Sequence, residues 1–244
     1  MLKTIKENNS VTYYFCNRSL TVILLDCNLL TLIFILYCIA AAVQLFFYLW
    51  FYLAPAFYRH PDLPEKELPP LSVIICARNE SANLKRFLPL VLEQDYPSFE
   101  VIVVNDCSED DSYTVLGEML SKYQNLKVSI INKDPRFSHS KKFAQFIGIK
   151  AALNELLVFT DADCYPMSDK WLRMIVSGFS EGIDFVLGYG GLIAEKGFLN
   201  RYQRYEAMFI AMQYLGMAIR GIPYMGVGRN FAYRKDVFFR NKGF

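Results

Sequence analysis

The sequence predicts a mostly parallel α/β sheet flanked by helices and preceded by one transmembrane helix. Three observations lead to this fold class. Residues 29–53 carry no charged side chain, and a run of that length can cross a bilayer. From residue 71 onward, short apolar runs alternate with helical patterns, as in βαβ units. Several apolar runs end in polar clusters, as buried strands do where a parallel sheet meets its ligand.

Length and charge narrow the class of protein further. The chain has 244 residues, which is enough for one large domain with an appendage. Its hydrophobic content of 53% is high for a purely soluble protein, and the excess lies in the first quarter of the chain. The net charge of +2 comes from scattered, interleaved charges, which predicts no nucleic-acid surface.

The first elements are a tail at residues 1–28 and a transmembrane helix at 29–53. Tyr37, Tyr48 and Trp50 lie in this run, and aromatic residues gather at membrane interfaces. The run is too long for a cleaved signal peptide, and no small-residue cleavage pattern follows it. We therefore expect a permanent anchor whose partner is the lipid bilayer.

A proline-rich linker is predicted at residues 54–70, before a single domain at 71–244. Five prolines interrupt a polar stretch there, and they disfavour a helix. They are Pro55, Pro61, Pro64, Pro69 and Pro70.

Alternating strands and helices fill the domain, and such alternation predicts right-handed crossovers in a parallel sheet. The predicted strands are residues 71–76, 100–104, 127–131, 155–160 and 183–187. The predicted helices are residues 81–94, 110–123, 141–154, 168–179 and 198–219. Ser168 is expected to be the N-cap of the fourth of these helices.

Two carboxylates follow the strand at 155–160. Asp161 and Asp163 are two residues apart, so in an extended chain they point to the same side. Hard oxygen ligands at a strand end suit Mg²⁺ or Mn²⁺ holding a phosphate-bearing substrate. The alternative is a pair of surface carboxylates in a turn.

The first two strands also end in polar residues. In a doubly wound sheet, Asp106 faces the same crevice as Asp161, where a carboxylate can accept a hydrogen bond from a base or ribose. Arg78 or Lys142 can neutralise phosphate there. The alternative for Asp106 and Ser108 is capping of the next helix. The turn A-R-N-E after the first strand lacks the glycines of a dinucleotide-binding oxidoreductase.

The cysteines predict reduced thiols in a cytoplasmic domain. No C-x-x-C pair is present, so neither a zinc site nor a disulfide framework is expected. His139 is expected to be a loop residue near the lysines. The cysteines are Cys16, Cys27, Cys38, Cys76, Cys107 and Cys164.

Five segments follow the ends of strands or the starts of helices: V-I-I-C-A-R-N-E at 73–80, V-V-N-D-C-S at 103–108, S-K-K-F-A at 140–144, T-D-A-D at 160–163 and G-V-G-R-N-F-A-Y-R at 226–234. Together they resemble the ordered signatures of family 2 glycosyltransferases, which have the Rossmann-like GT-A fold. The resemblance covers essentially the whole domain. The membrane-anchored, cellulose-synthase-like bacterial members are the most similar.

This resemblance implies a donor site for a nucleotide-sugar, expected to be a UDP-sugar. Ala77 and Glu80 would line the nucleoside pocket beside Arg78. Asp106 would read the uracil edge, and Lys142 would approach the diphosphate.

The resemblance also implies the chemistry. Asp161 would contact ribose or sugar, and Asp163 would ligate Mg²⁺ or Mn²⁺. The sugar would pass with inversion to a hydroxyl of a polysaccharide, lipid or other acceptor.

Nucleotide-sugars are cytoplasmic, so we expect the domain to lie at the cytoplasmic face of the inner (plasma) membrane. The positive-inside rule does not decide the topology. Lys3, Lys6 and Arg18 precede the span, and Arg59 and Lys66 follow it.

Two features depart from the family pattern. The family's general base lies in an acidic motif beyond the glycine-asparagine strand, and this sequence ends at Phe244 before such a motif. We therefore expect a truncated chain without an identified base, because Asp236 resembles a helix cap more than a base. Cys107 stands where the family usually has glycine, and only a local adjustment of the turn is expected.

Two other functions remain open at this point. One is a membrane-tethered remnant or regulator that binds nucleotide-sugar without transferring it. The other is a D-x-D phosphatase or phosphotransferase, although those sites typically follow a first strand.

Overall fold

The computed structural model describes residues 17–60, 68–133 and 140–243, with side chains from residue 28 onward. The predicted tail up to residue 16, part of the linker and His139 lie outside the described residues. The helices are α1 (Asn17–Phe47), α2 (Ala54–Phe57), α3 (Ser81–Leu92), α4 (Ser112–Lys122), α5 (Lys141–Ala151), α6 (Trp171–Ser177), α7 (Phe198–Ile219) and α8 (Lys235–Arg240). The strands are β1 (Leu71–Ala77), β2 (Phe99–Asp106), β3 (Leu126–Ile131), β4 (Leu156–Asp161), β5 (Phe185–Leu187) and β6 (Phe231–Arg234).

The strands form one mixed sheet in the order β3-β2-β1-β4-β6-β5. Strand β1 lies at its centre and pairs in parallel with β2 and β4, and β2 pairs in parallel with β3. Strand β6 runs antiparallel to both β4 and β5. The predicted fold class, a mostly parallel sheet between helices, is confirmed.

Continuous apolar runs place β1, β2 and β4 in the middle of the sheet. Neighbouring residues of a strand point to opposite faces, so Val73 packs in one hydrophobic cluster and Ile74 in the other. Helices cover both faces, which is the usual setting of parallel strands. The polar residues that follow these strands are thereby held on a rigid, buried scaffold.

The predicted N-cap at Ser168 is wrong. Helix α6 begins at Trp171 after Lys170, and the Ser168 hydroxyl accepts a hydrogen bond from the Lys170 N–H at 3.1 Å within the preceding turn. The Ser168 carbonyl accepts a bond from the Gln94 side chain at 2.9 Å. This hydrogen bond to Gln94, just beyond the end of α3, holds the segment around Ser168 in a turn. Helix α6 therefore starts three residues later than predicted.

The apolar N-terminal helix continues beyond its predicted end. A π-helical turn at Tyr48–Tyr52 leads into α2, whereas the sequence predicted a non-helical linker from residue 54. Pro55 occupies the first turn of α2, where its missing N–H removes no helical hydrogen bond. Residues Asn28–Phe57 form a continuous helical stretch of 30 residues that contains an 18-residue window of mean hydropathy 2.5, long enough and apolar enough to cross a membrane.

The end of this stretch packs against α7. Gly216 is buried there, and a Cβ atom at this position would overlap the Phe51 carbonyl oxygen. The rings of Tyr52 and Phe209 lie 5.0 Å apart. Arg220 donates a hydrogen bond from Nε to the Trp50 carbonyl at 3.0 Å, and its guanidinium lies 4.2 Å from the centre of the Trp50 ring. The apolar helix is therefore fixed to the α/β domain through α7.

Candidate functional site

A polar cavity opens at the carboxyl ends of β1, β2 and β4. Its volume is about 310 Å³. The strand order changes direction at this place, because β1 connects toward β2 on one side and pairs with β4 on the other, and open α/β sheets bind ligands at such a switch point. The lining residues are Cys76, Ala77, Arg78, Glu80, Asp106, Ser140, Lys141, Ala144, Asp161, Ala162 and Asp163.

Most of the site residues predicted from the sequence meet in this cavity. Ala77, Arg78 and Glu80 form its wall after β1, and Asp106, which is only 6% exposed, forms the wall after β2. Asp161 and Asp163 lie across from them at the end of β4. Lys142 is outside the described lining of the cavity, and its neighbour Lys141 is part of it.

Hydrogen bonds join the loops that follow β1 and β2. The Asn79 N–H donates to the Ser108 hydroxyl at 2.9 Å, and the Asn79 side-chain oxygen accepts from the Glu109 N–H at 2.7 Å. Asp110 accepts a further bond from the Ser81 N–H at 2.9 Å. Ser108 thus connects the two loops, while α4 begins after Asp111. The wall that carries Arg78 and Glu80 is held against the wall that carries Asp106.

The charge of Asp110 supports this connection. Burial opposes ionisation, but hydrogen bonds from Ser112 and Ser81 outweigh it and lower the pKa of Asp110 to about 2. A depressed pKa keeps this carboxylate ionised, and able to accept both bonds, at every pH well above that value.

The backbone at Cys107 has a conformation that glycine adopts more easily than other residues. Its φ angle is 53°, in the left-handed region that side chains with a Cβ avoid. The Cys107 N–H donates to the Ile131 carbonyl at 3.1 Å, and the thiol donates to the same oxygen at 3.1 Å. These bonds to the end of β3 hold the strained turn, which keeps Asp106 in the cavity.

The two carboxylates after β4 converge with a thiol. Donor atoms of Asp161, Asp163 and Cys164 all lie within 4.8 Å of one another. Burial, followed by the charge of Asp163, raises the pKa of the Cys164 thiol to about 12. The thiol is therefore neutral and donates to Asp163 at 3.5 Å. The available ligands are carboxylate oxygens, which suit Mg²⁺ or Mn²⁺ better than a thiophilic metal.

Lys141 supplies a positive charge beside these carboxylates. Its Nζ lies 2.5 Å from Asp161 Oδ1. Ser140 is the N-cap of α5 and accepts a hydrogen bond from the Phe143 N–H at 3.3 Å. The first turn of α5 therefore points into the cavity, and helix N-termini favour bound phosphate.

Two glycine-containing loops, one after β5 and one before β6, lie at the edge of the sheet where β4 ends. Asn230 joins them: its side-chain oxygen accepts from Trp171 Nε1 at 3.1 Å, its Nδ2 donates to the Tyr189 carbonyl at 3.0 Å, and its own carbonyl accepts from the Gly188 N–H at 2.8 Å. A Cβ atom at Gly188 would overlap the Asn230 side chain. Arg229 lies close enough to Cys164 to oppose the rise in the pKa of that thiol. These loops therefore place Arg229 near Cys164, which follows the carboxylate pair.

Asp236 lies at the opposite edge of the sheet. Strand β6 runs antiparallel to β4, with Arg234 beside Leu156 at the start of β4. Asp236 follows in the first turn of α8 and is exposed. Because Asp161 ends β4, the length of that strand separates it from Asp236. The predicted capping role of Asp236 is wrong, because the N-cap of α8 is Arg234 and Asp236 lies inside the first turn.

Sequence reasoning missed three residues of the site. Lys141, rather than Lys142, could be identified as a site residue only by knowing where α5 begins, since neighbouring helical residues point about 100° apart. Arg229 and Asn230 were noted as part of a strand motif, but their contacts depend on the antiparallel placement of β6. Within the described residues, Cys38, Cys76, Cys107 and Cys164 are free cysteines.

Comparisons with known proteins identify the class. The sequence model of glycosyl transferase family 2 matches residues 72–239, nearly the whole described domain. The chain therefore belongs to glycosyl transferase family 2.

Individual relatives agree with this assignment. Glycosyltransferase AglE of Haloferax volcanii is 34% identical over 139 residues, covering 53% of this chain and 44% of that protein. The probable glycosyltransferase YdaM of Bacillus subtilis is 30% identical over 183 residues, covering 70% of this chain and 42% of that protein. The matches thus span less than half the length of these relatives.

Solved structures show the same GT-A fold. A mannosyltransferase from Pyrobaculum calidifontis, solved with GDP-Man and Mn²⁺, superposes with a TM-score of 0.62 at 19% identity, over 85% of this chain and 57% of that one. Staphylococcus aureus TarS residues 1–349, solved with UDP-GlcNAc, gives a TM-score of 0.52 at 22% identity, over 71% of this chain and 47% of that one.

Proposed function

We propose that this protein transfers a sugar, with inversion, from a nucleotide-sugar to an acceptor hydroxyl at the cytoplasmic face of the membrane, in a metal-dependent reaction. The observation that carries the proposal is the convergence of Asp106, Asp161 and Asp163 with Lys141 in one cavity at the switch point of the sheet. A nucleotide-sugar has a neutral base, a ribose and an anionic diphosphate, and the cavity offers matching chemistry in that order.

The nucleoside half of the donor fits the walls after β1 and β2. The small side chain of Ala77 leaves room for a flat base, and the buried carboxylate of Asp106 can accept hydrogen bonds from a base N–H or a ribose hydroxyl. Glu80 lies beside them, where its Oε2 accepts from Asn83 at 2.6 Å. Uracil, with its ring N–H, suits such an acceptor, so we propose UDP-sugar as the donor. The neighbours solved with GDP-Man and UDP-GlcNAc show that this fold accommodates both bases.

The diphosphate half fits the opposite wall. Lys141, Arg78 and the N-terminus of α5 supply positive charge and N–H donors. Asp163, with Asp161 beside it, would hold the divalent metal; the neighbouring mannosyltransferase was solved with Mn²⁺. When bound, Mg²⁺ or Mn²⁺ supplies Lewis-acid stabilisation of the charge that develops on the leaving diphosphate.

The chain's own residues then orient the reaction. Lys141 is close to Asp161 and can keep the diphosphate oxygens in place as the sugar leaves. The loops at Gly188 and Asn230 form the side of the cavity from which an acceptor hydroxyl would approach. A polysaccharide, a lipid or another hydroxyl compound is the acceptor under this proposal, and the apolar stretch Asn28–Phe57 would keep the reaction at the bilayer.

Calorimetry tests the donor proposal. The full chain, purified in detergent, is titrated with UDP in the presence and absence of Mn²⁺, and with GDP as the matched nucleotide. We expect UDP to bind at least about tenfold more tightly with Mn²⁺, since a divalent cation neutralises the repulsion between carboxylates and diphosphate. Binding that is absent in a folded sample, or unchanged by chelator, would contradict the metal-diphosphate proposal. Tighter binding of GDP than UDP would contradict only the uracil assignment.

Two adjacent lysines give a matched test of the diphosphate wall. Because Lys141 lines the cavity and Lys142 does not, Lys141→Met is expected to weaken UDP binding by about tenfold, the effect of losing one charge-assisted contact. Lys142→Met changes the net charge equally and serves as the control. The same titration measures both variants. A larger loss in Lys142→Met would restore the assignment made from the sequence.

A further inference from the structure

We propose that the N-terminal half of α7 is a second membrane contact, which lies in the headgroup layer of the bilayer beside the end of the apolar N-terminal helix. The proposal rests on the membrane anchoring that forms part of the proposed function. The partner it names is a lipid surface, with a preference for anionic headgroups.

An aromatic stripe runs along one face of α7. It comprises Phe198, Tyr202, Tyr205 and Phe209, at spacings of four, three and four residues, which place side chains on one side of a helix. Tyr205 and Phe209 stack with ring centres 6.0 Å apart. The stripe is therefore a continuous apolar surface three turns long.

The two ends of the stripe have different surroundings. At its C-terminal end, Phe209 contacts Tyr52, and Gly216 on the same face contacts Phe51. At its N-terminal end, Phe198 is 84% exposed, Tyr202 53% and Tyr205 56%. The face of α7 that packs on the end of the apolar helix therefore continues toward the N-terminus of α7, where its large apolar side chains are exposed.

The location of the stripe favours lipid as the partner that contacts its exposed side chains. It is continuous with the contact to the Asn28–Phe57 stretch, whose apolar side chains are exposed from Leu29 to Trp50. Phe57 and Tyr58, where that stretch ends, are exposed as well. A helix that packs on the end of an apolar span with its C-terminal half, and exposes aromatic residues on one face of its N-terminal half, has the character of an interfacial helix.

The composition of the helix also matches a headgroup layer. Tyrosine places an apolar ring and a polar hydroxyl in one side chain, and such residues concentrate at membrane–water interfaces. Arg201 and Arg204 are exposed beside the stripe, with Glu206 as the acidic residue among them. Long arginine side chains can extend their charge to lipid phosphates while their stems cover apolar surface. The excess of one positive charge favours anionic lipid.

This contact would set the orientation of the cavity. Further along α7, the Tyr214 hydroxyl donates to the Gly188 carbonyl at 2.8 Å, and the Gly188 N–H donates to the Asn230 carbonyl. One helix therefore connects the proposed lipid contact to the loops on the acceptor side of the cavity. An acceptor carried by a membrane lipid would meet the site from that side.

Tryptophan quenching by brominated lipid tests the contact in the full chain. The protein is placed in nanodiscs of phosphatidylcholine and phosphatidylglycerol, with bromine near the headgroup end of the acyl chains. A Trp50→Phe background leaves Trp171 as the native tryptophan, and Tyr202→Trp is added as the reporter. The matched control is Leu120→Trp, at an exposed apolar position on α4. Acrylamide measures the access of water-soluble quencher to each position.

We expect bromine to lower the added emission of Tyr202→Trp by at least about twofold, as for an interfacial ring, and to leave that of Leu120→Trp unchanged. Quenching by acrylamide without quenching by bromine would show a solvated face and overturn the proposal. Protection from both quenchers would show that another segment or a second copy of the chain covers the stripe, which also overturns it. Comparison of the wild type with Trp50→Phe isolates Trp50. Failure of bromine to quench Trp50 would instead contradict the membrane anchoring itself.

Discussion

Replacing Asp163 with alanine is expected to lower the affinity for UDP in the presence of Mn²⁺ by at least about tenfold, the whole effect of the metal, because a metal ligand with full negative charge is lost. The affinity without metal should remain within about twofold of the wild type, since the nucleoside walls after β1 and β2 are unchanged. The metal dependence, rather than the binding itself, is therefore the property that Asp163→Ala should remove. Calorimetry with and without Mn²⁺ measures it.

Two further variants test whether the loss of metal dependence is specific to Asp163. Glu118→Ala removes one negative charge from an exposed position of α4 and should leave both affinities unchanged. Asp106→Ala should weaken UDP binding with and without metal and reduce the preference for uracil, while the effect of Mn²⁺ persists. If Asp163→Ala retained the full effect of Mn²⁺, the metal would be held elsewhere and the assignment of the carboxylate pair would be wrong.

Gly216→Ala is expected to lower the free energy of unfolding by about 1–3 kcal/mol, the usual cost of overpacking a close contact. The added Cβ would overlap the Phe51 carbonyl oxygen, and a backbone atom cannot rotate away as a side chain can. The π-helical turn would have to separate from α7, which would break the contact between Arg220 and Trp50. Chemical denaturation in detergent, followed by Trp50 fluorescence, measures both effects.

Gly117→Ala is the matched control for this substitution. Gly117 is also inside a helix, and a Cβ there meets no atom within 4 Å. Alanine should therefore stabilise α4 by roughly 0.5–1 kcal/mol through its higher helix propensity. Equal behaviour of the two alanine variants would mean that α7 and the apolar N-terminal helix do not pack closely in solution.

The strand ends could be predicted from the sequence because their signals are local. The run from Leu156 to Thr160 is apolar and then stops at Asp161, and this pattern fixes both the strand and the edge at which its carboxylate lies. The same holds for Ala77 and Asp106. Parallel pairing of three such strands then leaves one place for all of the polar residues to meet.

Other features of the fold and the site could not be predicted, because they depend on tertiary contacts that leave no periodic signal in the sequence. The start of α6 is moved by the bond from Gln94 to the Ser168 carbonyl, 74 residues apart in sequence. The choice between Lys141 and Lys142 depends on where Ser140 begins α5. The position of Arg229 and Asn230 at the cavity depends on β6 running antiparallel to β4, and the sequence of β6 alone does not specify its direction.

The most direct test of the donor site is a crystal structure of the protein with UDP and Mn²⁺, measured at the manganese absorption edge. An anomalous peak at Asp163, with the diphosphate beside Lys141 and the base between Ala77 and Asp106, is the result we predict. A manganese peak away from Asp161 and Asp163, or nucleotide bound outside this cavity, would contradict the proposed donor site.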